Sequence, residues 1–262
     1  MRKPTLSPTR FTTYLACPVK YRWSYVDKRY QWFVRAKPYY SFGTSLHQAL
    51  ERFHDSSDLG VQTTDEAVKA LEENWMTAGY STPEEAAEAF AEGRVMLEGY
   101  VAAVSQQAEG VTTLFVEKDL QLDMGEWVLS GRIDRIDERE GGSIEIADYK
   151  TGGSTPESPI FDIAMGCYAL LVRALFPGRN LVTTIISVRS GERASAERNE
   201  IELLQFEKDL RVLAAEILHR DYPTIEPKPK PLCTNCDFLR VCATVPDFAE
   251  DYSAYGVIPD GF

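Results

Sequence analysis

At about residue 111 the hydrophobic period of this chain changes. Upstream, apolar residues recur at three- and four-residue steps, as Leu46, Leu50 and Phe53 do in SLHQALERFH, the spacing of one helix face. Downstream, Thr112–Leu122, Trp127–Asp137 and Ser143–Tyr149 are short and alternating or β-branched, which predicts strands. Gly141-Gly142 joins the second and third tightly enough for a hairpin. A helix is expected from about Ile160 to Phe176, closed by Pro177-Gly178, then strands at Val182–Arg189 and near Glu197–Leu203 and a helix over Gln205–His219. Before the change, Ser7-Pro8 starts a helix reaching about Ala16, and a basic one follows through Lys20–Tyr25. The Ala- and Glu-rich stretch 65–107, with starts at Thr64 and Thr82-Pro83, holds two or three more. This order describes an α/β domain on a mixed sheet.

With 262 residues, 44% of them hydrophobic, the chain can form one large domain or one domain with an insertion. It has no run of eighteen apolar residues and no signal-type stretch after MRKPTLSPTR, so a soluble cytoplasmic protein without a membrane span is expected. Five cysteines there point to thiols or metal ligation, not to disulfides. The net charge of −12 hides a polarity: residues 1–40 carry nine Lys/Arg against Asp27 alone, and residues 41–110 carry thirteen acids against three bases.

IEIADYKTGG, residues 144–153, is an apolar strand that ends in an acid and a lysine two positions apart. Buried charge is costly unless paired or ion-bound. If the hairpin forms, Asp134 of SGRIDRID and Asp148 lie on neighbouring strands, with Lys150 on the same side as Asp148. Two facing carboxylates repel, and a hard cation such as Mg²⁺ or Mn²⁺ would relieve that repulsion. Lys150 could then position a water or stabilise charge on a phosphate. The same spacing also suits a surface hairpin whose acids pair with Arg132, Arg135 and Lys150. His47 borders the Leu46/Leu50 stripe and is either a boundary residue or a third ligand.

CTNCDFLRVC sets Cys233, Cys236 and Cys242 in a C-x2-C-x5-C pattern after the proline-rich PTIEPKPKPLC. Zinc and iron–sulfur clusters both take four ligands. The fourth is Cys17 of YLACPVKY or Cys167 of AMGCYALL, and the latter reads better as an inert buried thiol. Ligand count leaves the metal open.

Taken in order, SPTRFTTYLACP, GTSLH, GRID, DYKTG and the three-cysteine tail resemble the RecB-type nuclease domains of the PD-(D/E)XK superfamily, in the iron–sulfur subgroup. That subgroup includes CRISPR-associated RecB-like exonucleases, the AddB nuclease domain and eukaryotic exonuclease five. The resemblance covers nearly the whole chain. It implies a restriction-endonuclease-like mixed central sheet flanked by helices, with a nuclease core over 111–220 and a helical insertion over 57–110. An iron–sulfur subdomain of 1–40 with 221–262 would join the two ends of the chain. It implies that His47, Asp134, Asp148 and the Tyr149 carbonyl hold Mg²⁺ or Mn²⁺, that Lys150 orients the attacking water, and that Cys17, Cys233, Cys236 and Cys242 hold a [4Fe–4S] cluster, with zinc as the alternative. The family's Q-h-x-x-Y element falls on AMGCY, where Tyr168 is present but Ala164 replaces the glutamine.

The implied activity is metal-dependent DNA hydrolysis, as a single-strand exonuclease in repair, recombination or CRISPR adaptation. The alternative is a non-catalytic DNA-binding module. Lys20, Arg22, Lys28, Arg29 and Arg35 are the phosphate-contact candidates, with Tyr168 as a further DNA contact. Eleven aromatics lie between Phe11 and Phe42; more than half are expected in the core, the rest being available to stack on bases. No G-x-x-x-x-G-K-[ST] occurs, so ATP-driven unwinding would need a helicase partner or CRISPR adaptation machinery.

Overall fold

The computed structural model describes residues 3–55, 63–107, 110–153 and 156–254. Residues 57–62 and 108–109 of the expected helical insertion therefore lie outside the described residues. The chain divides into two units, Met1–Pro8 with Ala36–Val212 and Thr9–Arg35 with Leu213–Phe262. Among the described residues no helix is long and apolar enough to cross a membrane. In chain order the strands are β1 (Thr5–Leu6), β2 (Val111–Asp123), β3 (Val128–Arg139), β4 (Ile144–Lys150), β5 (Leu181–Ser187) and β6 (Arg193–Arg198). The helices are α1 (Pro8–Ala16), α2 (Pro18–Tyr21), α3 (Tyr30–Phe33), α4 (Pro38–His54), α5 (Thr64–Glu73), α6 (Pro83–Gln107), α7 (Ile163–Leu175), α8 (Glu200–His219), α9 (Leu239–Cys242) and α10 (Pro246–Ala254).

The six strands among the described residues form one mixed sheet in the first unit. β3 pairs antiparallel with β2 along its whole length, from Val128 opposite Asp123 to Arg139 opposite Val111. Its other edge is shared: β1 runs parallel to Val128–Leu129, and β4 antiparallel to Arg135–Glu138. Asp134 lies between these two pairings. β4 continues parallel to β5, with α7 as the crossover, and β6 closes the sheet antiparallel to β5. The β3–β4 hairpin turns through Gly141 and Gly142 at φ 85° and 84°, a region that favours glycine. This is the α/β, restriction-endonuclease-like mixed sheet flanked by helices that the motif order implies.

The sheet is covered because its strands and helices carry matching apolar faces. Leu46, Ala49 and Leu50 of α4, Ala67, Ala70 and Leu71 of α5 and Leu97 and Val101 of α6 form one core with Ala147 and Tyr149 of β4 and Ile186 of β5. Every residue of β4 from Ile144 to Tyr149 is buried and only Lys150 is exposed.

Several boundaries differ from expectation. The strand placed near Glu197–Leu203 is Arg193–Arg198, because Asn199 Oδ1 accepts the Glu202 N–H at 2.8 Å and starts α8 at Glu200. The basic helix splits into α2 and a π turn over Arg22–Val26. α4 starts at Pro38, well before the GTSLH motif, with proline in its first turn. Thr63, not Thr64, caps α5 through a capping box with Glu66.

The second unit has its own core, in which Val19 and Trp23 pack with Phe238, Leu239, Phe248, Tyr252 and the cysteines. Distant segments are tied by polar contacts: the Tyr14 hydroxyl donates to Glu216 at 2.7 Å, Arg22 to the Tyr222 carbonyl at 3.0 Å, and Lys230 to the Ala16 carbonyl at 2.8 Å.

Candidate active site

Burial of Leu46, Ala49 and Leu50 fixes the rotation of α4 and leaves His47 at its border, with 27% of the side chain exposed. His47 Nδ1 lies 3.4 Å from Asp134 Oδ1 on β3 and 3.6 Å from Glu117 Oε1 on β2. One ligand atom from each of the three falls within 4.8 Å of the others, and among the described residues this is the only group of three or more His, Cys, Asp or Glu side chains so arranged.

Glu117 is the member that sequence reasoning missed. Its neighbours Val116 and Lys118 pair with Arg135 and Ile133, which puts Glu117 across from Asp134. Its φ of 44° is left-handed, a conformation that a non-glycine residue adopts at a cost, and such strain concentrates at functional sites. Arg132 Nε donates to Glu117 Oε2 at 2.6 Å. A glutamate within a strand has no sequence signature, so only the backbone geometry reveals it.

Asp148 stands outside this triplet. It is buried, and Lys150 Nζ lies 2.6 Å from its Oδ2. Burial first, and the negative charge of Asp134 second, raise its pKa to about 6 against the pull of Lys150. Burial works against the charged form of Lys150 too, but the Asp148 carboxylate outweighs it and raises the pKa. At His47, burial acts downward, yet the carboxylates of Asp134 and Glu117 raise the pKa from 6.5 to about 10. The imidazolium thus supplies the positive charge between the two acids.

Tyr149 contributes its N–H, which donates to Asp134 Oδ2 at 2.7 Å and fixes that carboxylate. Its ring is held in a buried polar network: Arg135 Nη1 lies 2.8 and 2.9 Å from the Tyr100 and Tyr149 hydroxyls and 2.7 Å from His54 Nε2, while Arg135 Nε donates to Asp137 at 2.9 Å. Tyr168 of α7 packs against Gly131, and burial followed by the charges of Asp148 and Asp134 raises its pKa. Ala164 sits in the first turn of the same helix.

A hard divalent cation fits this donor set. Three oxygen- or nitrogen-bearing side chains converge, and a buried acid beside them has its charge disfavoured until a cation is near.

In the second unit, Cys17, Cys233, Cys236 and Cys242 line one cavity with Lys20, Trp23 and Phe238. All four thiols are free. Burial first, then neighbouring Cys236, Cys17 and Cys233, push the Cys242 thiol up to about 12. Cys167 is fully buried in the first unit, with burial raising its pKa to about 12. Among the basic candidates, Arg22 is engaged by Asp27 at 3.1 Å and by the Tyr222 carbonyl, so it braces the fold. Lys20 is half-buried, and Lys28, Arg29 and Arg35 are exposed.

A family model described as the PD-(D/E)XK nuclease superfamily matches residues 5–243. No curated protein matches the sequence. Similar solved structures include SSO0001, 18% identical over 78% of this chain and 84% of that one with a TM-score of 0.36. Another is a candidate exonuclease from Eubacterium rectale, 11% identical over 86% of this chain and 94% of that one with a TM-score of 0.38.

Proposed function

The chain belongs to the PD-(D/E)XK nuclease superfamily, and from that premise we propose that it is a Mg²⁺- or Mn²⁺-dependent deoxyribonuclease of the RecB-like, iron–sulfur type that degrades single-stranded DNA from ends. The convergence of His47, Glu117 and Asp134 around one point carries this reading. His47, Asp134 and Asp148 would hold the cation with Glu117, and the family's pattern adds the Tyr149 carbonyl. When bound, the cation would supply charge stabilisation at the phosphoryl oxygens and a more acidic water.

The chain's own residues do the rest. The Tyr149 N–H holds Asp134 in place, and Lys150, kept protonated by Asp148, neutralises charge developing on the phosphate and orients the attacking water. Neutral His47 is the ligating form, so loading the site displaces its proton.

The four thiols of the second unit hold the [4Fe–4S] cluster in this proposal. The four cysteines line one cavity, and four thiolates are the full ligand set of such a cluster. The residues 9–35 and 213–254 then act as the iron–sulfur unit, with Lys28, Arg29 and Arg35 offered to phosphates. Unwinding is left to a helicase or to CRISPR adaptation machinery.

The test is digestion of end-labelled single strands with Mg²⁺ or Mn²⁺ by the wild type, Asp148→Ala and Lys150→Ala. Metal-dependent cleavage that falls by at least about a hundredfold in both variants is expected. DNA binding without cleavage by the wild type would overturn the enzyme in favour of a binding module.

A further inference from the structure

We infer that Tyr39 and Tyr40, at the start of α4, form a nucleobase-stacking subsite for the strand whose phosphate is cut beside His47. The inference rests on the nuclease reading and deepens it by naming what holds the substrate strand.

The two rings are 58% and 56% exposed, with centroids 4.4 Å apart. Two large aromatic rings, each more than half exposed on the first turn of a helix, contribute little to a core and are well suited to binding. Lys37 Nζ stands 6.0 Å from the Tyr39 ring centre, so a cation accompanies the rings. Aromatic faces beside a positive charge match single-stranded nucleic acid, with the bases on the rings and the backbone at the ammonium.

The helix connects this pair to the chemistry. α4 is continuous from Pro38 to His54, so Tyr40 and His47, seven residues apart, lie on the same face at a rise of about 10 Å. Between them on that face is Gly43, whose missing Cβ would lie 3.2 Å from Thr151 Oγ1. The face therefore runs along the loop that follows Lys150. About 10 Å is the rise of roughly three stacked nucleotides and of fewer in an extended strand. A strand with its phosphate beside His47 and Lys150 thus has a nearby base within reach of Tyr40.

The electrostatics call for such a contact. Glu117, Asp134 and Asp148 make the site itself acidic, which leaves Lys150 and the cation as the groups that attract phosphate there. Stacking supplies affinity that does not depend on charge and accepts any base. In a duplex the base faces are occupied by their neighbours, so the pair also selects unpaired strands.

The experiment is a double-mutant cycle on binding. A fluorescent ten-nucleotide single strand is titrated into full-length Lys150→Ala protein with Mg²⁺, so that affinity is read without turnover. A single abasic position is moved along the oligonucleotide. Tyr39→Ala/Tyr40→Ala is compared with Tyr39→Phe/Tyr40→Phe, which keeps both rings. We expect one or two abasic positions to weaken binding about tenfold with the rings present and less than about twofold in the alanine variant. An abasic penalty equal in all proteins at every position overturns the subsite. Wild-type cleavage is measured separately: coupling without cleavage keeps the subsite and removes the nuclease, and cleavage without coupling does the reverse.

Discussion

Glu117 serves two opposed demands, a left-handed backbone that glycine would occupy more easily and a carboxylate that glycine lacks. Glu117→Gly should therefore exceed Glu117→Gln in metal-free stability by about 1 kcal/mol in urea denaturation, since both lose the ion pairs to Arg132 and His47 and only glycine relieves the backbone strain. Glu117→Gln, which keeps the shape, should weaken Mn²⁺ affinity on the order of tenfold or more by calorimetry. Backbone strain kept for the sake of a carboxylate that binds metal identifies the residue as functional. His47, Asp134, Asp148 and Lys150 could be nominated from the sequence because each sits in a short motif. Glu117 could not, since its distinguishing property is a dihedral angle.

His54 gives a pH dependence of definite sign. Burial, then the charge of Arg135, lower its pKa to about 2, so the folded protein keeps it neutral while the unfolded chain protonates near 6.5. Its contribution to stability is complete above pH 6.5 and declines below, by about 1.4 kcal/mol per unit. Asp148 acts oppositely between about 6 and 3.8, where the folded state holds the extra proton. The comparison must therefore be with His54→Gln in EDTA, and the wild type's advantage over that variant should shrink by about 2 kcal/mol between pH 6.5 and pH 5.

At the level of elements, the glycine of the GRID motif has a packing role. A Cβ at Gly131 would lie 2.9 Å from Leu171 Cδ1 and 3.0 Å from Tyr168 Cε1, so β3 and α7 approach this closely only without one. Gly131→Ala should cost about 1–3 kcal/mol by chemical denaturation and displace Tyr168 beside the acids. The three central strands and their hairpin were legible because a two-residue period over buried segments has few other readings. The β6–α8 junction was not. Ile201 and Leu203 look like a continuation of alternation, but Ile201 is 81% exposed and Leu203 buried on a helix whose cap is a single asparagine side chain. α4 was found from its apolar stripe, and its first two turns were not, because Tyr39 and Tyr40 carry no burial pattern.

For the whole molecule, the proposed cluster makes a direct prediction. Protein purified without oxygen should be brown, with about four irons per chain, and Cys17→Ser or Cys233→Ser should each abolish the visible absorbance. A colourless protein with one zinc would replace the cluster with a tetrahedral ion.

The second unit also has a history imposed by the order of the chain. Its first segment, with Cys17, Val19 and Trp23, leaves the ribosome long before Phe238, Leu239 and Phe248, on which its core depends. At roughly 5–20 residues per second the wait is on the order of ten to forty-five seconds. Throughout that interval a sticky, thiol-bearing N-terminal stretch has no native counterpart, while the central sheet can already assemble. Maturation must then run from the middle of the polypeptide outward, and the early segment is where a nascent-chain chaperone would be needed.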